Sequence, residues 1–153
     1  MELRTACSPK DVKHYTTERL RDEFLVQGLF TPDEIKLVYS HIDRIIIGAA
    51  TPVNKKLVLT AGEELRAEYF LQRRELGVIN IGGAGKITID GKVYNVAPRE
   101  GRYTGLGSKD ISFESDDAGN PAKFYLTSAP APRTCPTVPI TRAGPPEAGD
   151  GTI

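Results

Sequence analysis

The chain has 153 residues, with 20 Lys+Arg set against 20 Asp+Glu, so its formal net charge is zero. That length buries the core of one ordinary domain, and the even charge, with no basic stripe interleaved by aromatics, argues against a nucleic-acid partner. No apolar run approaches the roughly 20 residues that a bilayer span needs.

The start, MELRTACSPKDVK, has no apolar core of signal-peptide type, so the expected location is cytoplasmic, with no membrane partner. Cys7 and Cys135 lie far apart in polar surroundings, and no Cys-x-x-Cys or Cys/His cluster exists. A cysteine zinc site is excluded, and free thiols are expected rather than a disulfide.

Residues 1–20 read as a polar N-terminal arm. Thr16-Thr17-Glu18 ahead of Leu20 reads as the start of a short helical turn, with Thr17 as its cap. Phe24-Leu25-Val26 and Leu29-Phe30 read as an edge strand interrupted by Gly28, and Thr31-Pro32-Asp33-Glu34 as a turn. Residues 35–42 and 45–50, separated by Asp43-Arg44, read as successive strands or one bent strand. His41, Asp43 and Arg44 fit either a surface turn with an ion pair, or a pocket rim or subunit contact. Residues 55–59 read as another strand candidate, and 60–68 as a helical turn or irregular loop.

The chain is organised around residues 69–85, YFLQRRELGVINIGGAG. Tyr69-Phe70-Leu71 suits a strand, and the polar knot Gln72-Arg73-Arg74-Glu75 follows. Val78-Ile79-Asn80-Ile81, closed by Gly82, Gly83 and Gly85, reads as a buried strand entering a tight turn. The adjacent charges Arg73, Arg74 and Glu75 are either solvated at the mouth of the sheet, or paired with one another or with a ligand. Residues 85–96 alternate around Asp90-Gly91, whose positive φ angles suit a two-residue hairpin turn. Residues 98–101 make a second turn, 103–107 a glycine-rich corner, 111–115 a short strand, 116–121 a loop and 122–128 the last strand. Residues 131–153 are too rich in proline and glycine for a sheet interior. They read as a linker or strap towards a further domain, or an arm on a neighbouring subunit.

Short strands, glycine turns at roughly 8–12-residue spacing and almost no helical period predict an all-β fold, a jelly-roll barrel over 21–130. An immunoglobulin-like sandwich is the rival. Without Trp, and without a plausible Cys pair, the antibody form of that rival is disfavoured.

A small jelly roll invites a test against the cupin pattern, His-x-His, three or four residues, Glu, six residues, Gly, and later Pro-x-Gly-x-x-His. Glu75 and Gly82 keep the required spacing, and Pro98 stands in the second motif. The His-x-His positions hold Tyr69 and Leu71, or Glu68 and Phe70; Glu100 replaces the glycine and Tyr103 the last His. Only His14 and His41 exist, neither of them near these positions, so no metal is expected in this barrel.

Over roughly residues 20–140 the chain resembles the N-terminal half of the 5-keto-4-deoxyuronate isomerases (4-deoxy-L-threo-5-hexosulose-uronate ketol-isomerases), a bicupin family. The carrying runs are RDEFLV from Arg21, VYSHIDRII from Val38, YFLQRRELGVINIGGAG from Tyr69 and PAKFY from Pro121. The resemblance implies two cupin barrels per chain, a homo-oligomer (a hexamer), and interconversion of a 5-keto-uronate with a 2,5-diketo acid in pectin and uronate breakdown. It also implies zinc, held by three His and one Glu of the second barrel, so this chain corresponds to the metal-free barrel and carries no catalytic residue. Such an isomerase removes a proton beside a carbonyl while the metal steadies the enediolate oxygens. The substrate carboxylate calls for a cation. Arg44, Arg73 and Arg74 are the candidates in this half, with Glu75 and His41 beside them as further substrate-binding candidates. A local ion-pair network of Arg73, Arg74 and Glu75 at a barrel rim, and a structural role for His41, are the competing readings. For the chain as a whole, the competing reading is a stand-alone, non-catalytic cupin acting in sugar binding or assembly.

Overall fold

The computed structural model describes residues 1–141. Its strands are β1 (Glu2–Arg4), β2 (Ile35–Ser40), β3 (Ile46–Ala50), β4 (Leu57–Val58), β5 (Arg74–Asn80), β6 (Gly85–Ile89), β7 (Lys92–Val96), β8 (Gly101–Thr104), β9 (Ile111–Ser115), β10 (Phe124–Pro130) and β11 (Val138–Ile140). Two short helices, α1 (Pro9–Val12) and α2 (Thr17–Phe24), precede β2. The described residues make a seven-stranded sheet, β1-β2-β3-β10-β5-β8-β11, and a four-stranded sheet, β4-β9-β6-β7. Pairing is antiparallel throughout except between β1 and β2. The expected all-β jelly roll is therefore what the chain forms.

Alternation along the strands builds the core. Leu76 and Val78 of β5, Phe124 and Leu126 of β10, and Ile46 of β3 face Ile87 and Ile89 of β6 and Phe113 of β9 in one buried cluster. The rings of Phe113 and Phe124 meet at 5.3 Å between centroids, one from each sheet, and tie the layers together. Asp90-Gly91 forms the hairpin turn between β6 and β7, with φ of 49° and 81° at the two residues.

Several local expectations give way to the structure. Thr16, not Thr17, caps α2: its Oγ1 accepts from the Arg19 amide at 3.3 Å. The expected edge strand at 24–30 is absent, because α2 runs through Phe24 and the chain beyond it is irregular. The Arg4 guanidinium fixes that crossing by donating to the carbonyls of Glu23 and Leu25. Tyr69-Phe70-Leu71 is a turn, closed by the Gln72 amide on the Tyr69 carbonyl. Phe70 and Leu71 are buried from that turn as plugs of the core. β5 starts at Arg74, so two charged residues enter the strand. The run 78–81 is not buried on both faces: Val78 and Asn80 point inward, while Ile79 and Ile81 are exposed.

The segment read as an arm contributes β1, whose residues pair with Val38, Tyr39 and Ser40 of β2. The proline-rich stretch contributes β11, which pairs with β8 and ends the sheet. At an edge, the missing N–H of Pro139 is tolerated. The remainder of the expected strap, from residue 142, lies outside the described residues.

Asp33 pins the loop after β3 to the turn before β2. Its carboxylate accepts from the amides of Val53 at 2.9 Å and Asn54 at 2.8 Å, and from Asn54 Nδ2 at 2.7 Å. The Asn54 side chain first, and these amides next, hold its pKa down at about 2. The folded value lies below the unfolded value of about 3.9, so the contribution is full above pH 4 and is lost as pH falls towards 2. Chemical denaturation against pH should show wild type losing stability across that window, and Asp33→Asn losing less.

Candidate functional site

One end of the barrel carries a cavity of about 290 Å³ lined by Tyr39, Arg44, Glu64, Leu65, Ala67, Phe70, Arg73, Arg74 and Pro130. Four pieces of chain converge there: the end of β2, the turn after it, the loop at 64–70 and the start of β5 beside the end of β10. Arg74 is the floor. It shares the inward face of β5 with Leu76 and Val78, and it is only 6% exposed. Its Nε donates to Ser128 Oγ at 3.1 Å, and its Nη2 to the carbonyls of Ser128 and Arg44. The Tyr39 ring lies 5.5 Å from its guanidinium carbon. Burial first, and the charge of Arg44 next, lower the Arg74 pKa, while Tyr39 opposes the shift.

Arg73 stands exposed at the rim, where its Nη2 donates to the carbonyls of Leu65 at 3.0 Å and Arg66 at 2.8 Å. Arg44 sits exposed in the β2–β3 turn at φ 54°. Among the described residues no carboxylate forms an ion pair with any of these three arginines. The one acidic lining residue, Glu64, faces the N-terminal ammonium at 3.0 Å.

Three of the five expected binding residues thus meet, and two stand elsewhere. His41 is exposed, with its ring edge-on to Tyr39 at 5.4 Å. Glu75 occupies the opposite face of β5 from Arg74 and accepts from the Tyr103 hydroxyl at 2.8 Å. Burial raises the Tyr103 pKa, with Glu75 and then Cys135 adding to the shift. A local network of Arg73 and Arg74 with Glu75 does not form. Strand alternation sends Arg74 inward and Glu75 outward, despite their adjacency. Nothing local in the sequence marks the convergence of Tyr39, Glu64 and Leu65 on this cavity.

The same alternation places the cupin-motif side chains. Glu75 and Tyr103 stand at cupin-motif positions, yet both lie on the outer face of the large sheet, opposite Ala129 and Gly77. The inner face there offers Leu76, Val78, Phe124 and Leu126. Among the described residues no group of three or more His, Cys, Asp or Glu could hold a metal ion. These side chains do not fit the zinc that the resemblance implies for the whole enzyme.

No protein-family model matches the chain. The 4-deoxy-L-threo-5-hexosulose-uronate ketol-isomerase of Lachnoclostridium phytofermentans is 71% identical over 140 residues, covering 92% of this chain and 51% of the relative. Its namesake from Lachnospira eligens is 56% identical over 90% of this chain and 49% of the relative. That of Halalkalibacterium halodurans is 52% identical over 97% and 55%. The chain spans about half the length of the curated relatives it matches. Among solved structures, a cupin domain of Schizosaccharomyces pombe aligns with a TM-score of 0.48 at 10% identity, over 63% of this chain and 64% of that one. An RmlC-like cupin protein of Desulfovibrio desulfuricans aligns at 0.48 and 18% identity, over 70% and 93%.

Proposed function

We propose that this chain is the N-terminal barrel of a ketol-isomerase that interconverts 5-dehydro-4-deoxy-D-glucuronate and 3-deoxy-D-glycero-2,5-hexodiulosonate in pectin and uronate degradation. The observation that carries the reading is 71% identity, sustained over 92% of the chain, to a protein of that name. In this reading the enzyme is a cytoplasmic homo-hexamer. Residues 131–153 lead towards the second barrel, and that barrel supplies the zinc ligands. The absence of any helix among the described residues long and apolar enough to cross a membrane is compatible with this reading. The first barrel would form a wall of the assembly and bind, rather than chemically transform, the substrate.

Complementation tests it. The purified chain is mixed with the C-terminal half of the Lachnoclostridium phytofermentans relative, and consumption of the keto-uronate is followed. Turnover is expected in the mixture and not in either part alone, with hexamer mass by sedimentation velocity. Turnover by this chain alone, with stoichiometric zinc, overturns the assignment of the metal to the other half. A silent mixture beside an active full-length relative overturns the isomerase reading.

A further inference from the structure

We propose that Arg44, Arg73 and Arg74 form a binding site for the carboxylate of a single sugar acid, with the cavity above Arg74 holding its ring. That the acid is a keto-uronate rests on the isomerase reading; that the site takes a carboxylate stands on its own geometry.

Three arginines line one cavity of about 290 Å³, and no carboxylate among the described residues pairs with them. Like charges brought together, one of them 6% exposed, cost free energy that a protein normally offsets with a counter-ion. Glu64 does not serve, since its carboxylate faces the N-terminal ammonium at 3.0 Å. The cations are also held in place. The Arg74 fork is fixed by Ser128 and the Arg44 carbonyl, and the Arg73 fork by the carbonyls of Leu65 and Arg66. These bonds occupy the Nη2 hydrogens of both side chains and leave the Nη1 hydrogens of each guanidinium without a partner among the described residues, so each fixed cation can offer a carboxylate oxygen a single charge-assisted hydrogen bond. The rest of the lining includes the Tyr39 ring and the apolar side chains of Leu65, Phe70 and Pro130. Such walls suit the C–H face of a sugar. The volume sits at the lower end for small-molecule sites, which matches one hexose-sized ligand and not an oligosaccharide.

The test is an amide-detected NMR titration of the 153-residue chain with D-galacturonate, with D-galactose as the neutral isostere. Galacturonate should shift amides at residues 39–44, 64–74 and 128–130, and binding should weaken with added salt. Arg44→Ala and Arg73→Ala, which leave the hydrogen bonds of the Arg74 side chain in place, should each raise Kd about tenfold. Arg73→Lys should recover part of the loss. Dispersed spectra of the variants show that they fold. Equal binding of galactose, shifts that map elsewhere, unchanged affinity in the Arg44→Ala/Arg73→Ala double variant, or no galacturonate binding at all overturns the site. Turnover in the complemented mixture without binding here sinks the site and leaves the isomerase reading. Carboxylate binding here with a silent mixture does the reverse.

Discussion

Asn80→Asp should destabilise the barrel by about 4 kcal/mol at neutral pH, the cost of two buried acceptors facing a carboxylate and of the charge itself. Asn80 is fully buried. Its Nδ2 donates to the carbonyls of Gly83 at 2.7 Å and Val96 at 3.0 Å. Its Oδ1 accepts from the amides of Gly82 at 3.1 Å and Lys123 at 3.2 Å. One side chain thus joins the β5–β6 turn to β7 and to the loop before β10. The turn cannot drift to compensate. The Gly83 amide bonds the Pro121 carbonyl at 2.9 Å, and a Cβ at Gly83 would fall 1.9 Å from the Asn120 carbonyl oxygen. The introduced carboxyl keeps both acceptors and loses both donors. It recovers one donor only by taking up a proton, so its pKa rises in the folded state. The gap from wild type should therefore narrow as pH falls towards the unfolded carboxyl value and widen above it. Asn80→Leu orphans the same four partners without a charge, and should show a comparable loss that does not vary with pH. Urea midpoints between pH 4 and 8 read both.

Asn80 also marks where the sequence stops being informative. Val78-Ile79-Asn80-Ile81 carries strand propensity whichever residues face inward, and hydropathy favours burying the isoleucines. The structure does the opposite, because the polar atoms of Asn80 find four backbone partners that only the folded turn brings together. Asp90-Gly91 was legible because its turn chemistry is complete within two residues. The misread strand at 24–30 has apolar residues without a period, and its course is set by Arg4, which lies about 20 residues away in sequence. Glu75 shows the same limit at the site. A motif spacing counts residues, but a shift of one along a strand exchanges the two faces. Of the charges at 72–75, Arg73 stands exposed at the rim, while Arg74 turns inward and Glu75 outward. That Arg44 comes to meet Arg74, from 30 residues away, depends on the β2–β3 turn and the β3–β10–β5 pairing, which no local pattern contains.

Arg74→Met should lower stability by about 2–3 kcal/mol, a sign that has to be argued because two effects oppose. Removing a buried guanidinium relieves desolvation and its repulsion with Arg44, both of which depress its pKa. An apolar chain of similar length would then be neutral or stabilising if no partner were left behind. Here three acceptors lose their donor: Ser128 Oγ, the Ser128 carbonyl and the Arg44 carbonyl. Ser128 Oγ retains its own bond to the Glu75 carbonyl at 2.6 Å, but the two carbonyls bind β10 and the β2–β3 turn to β5 through this side chain. The loss at the Arg44 carbonyl outweighs the relief, because that carbonyl belongs to a tight turn with φ near 54° at both Asp43 and Arg44, which has little freedom to turn it towards water. A double-mutant cycle with Ser128→Ala should return a coupling of about 1 kcal/mol, as expected of residues in one network. Additive losses would mean that the two side chains act independently and that the clamp is not what holds the turn. Galacturonate should raise the melting temperature of wild type and fail to raise that of Arg74→Met, since the same substitution removes the floor of the cavity. If the ligand stabilises both proteins equally, Arg74 is a clamp alone and the anion is held elsewhere.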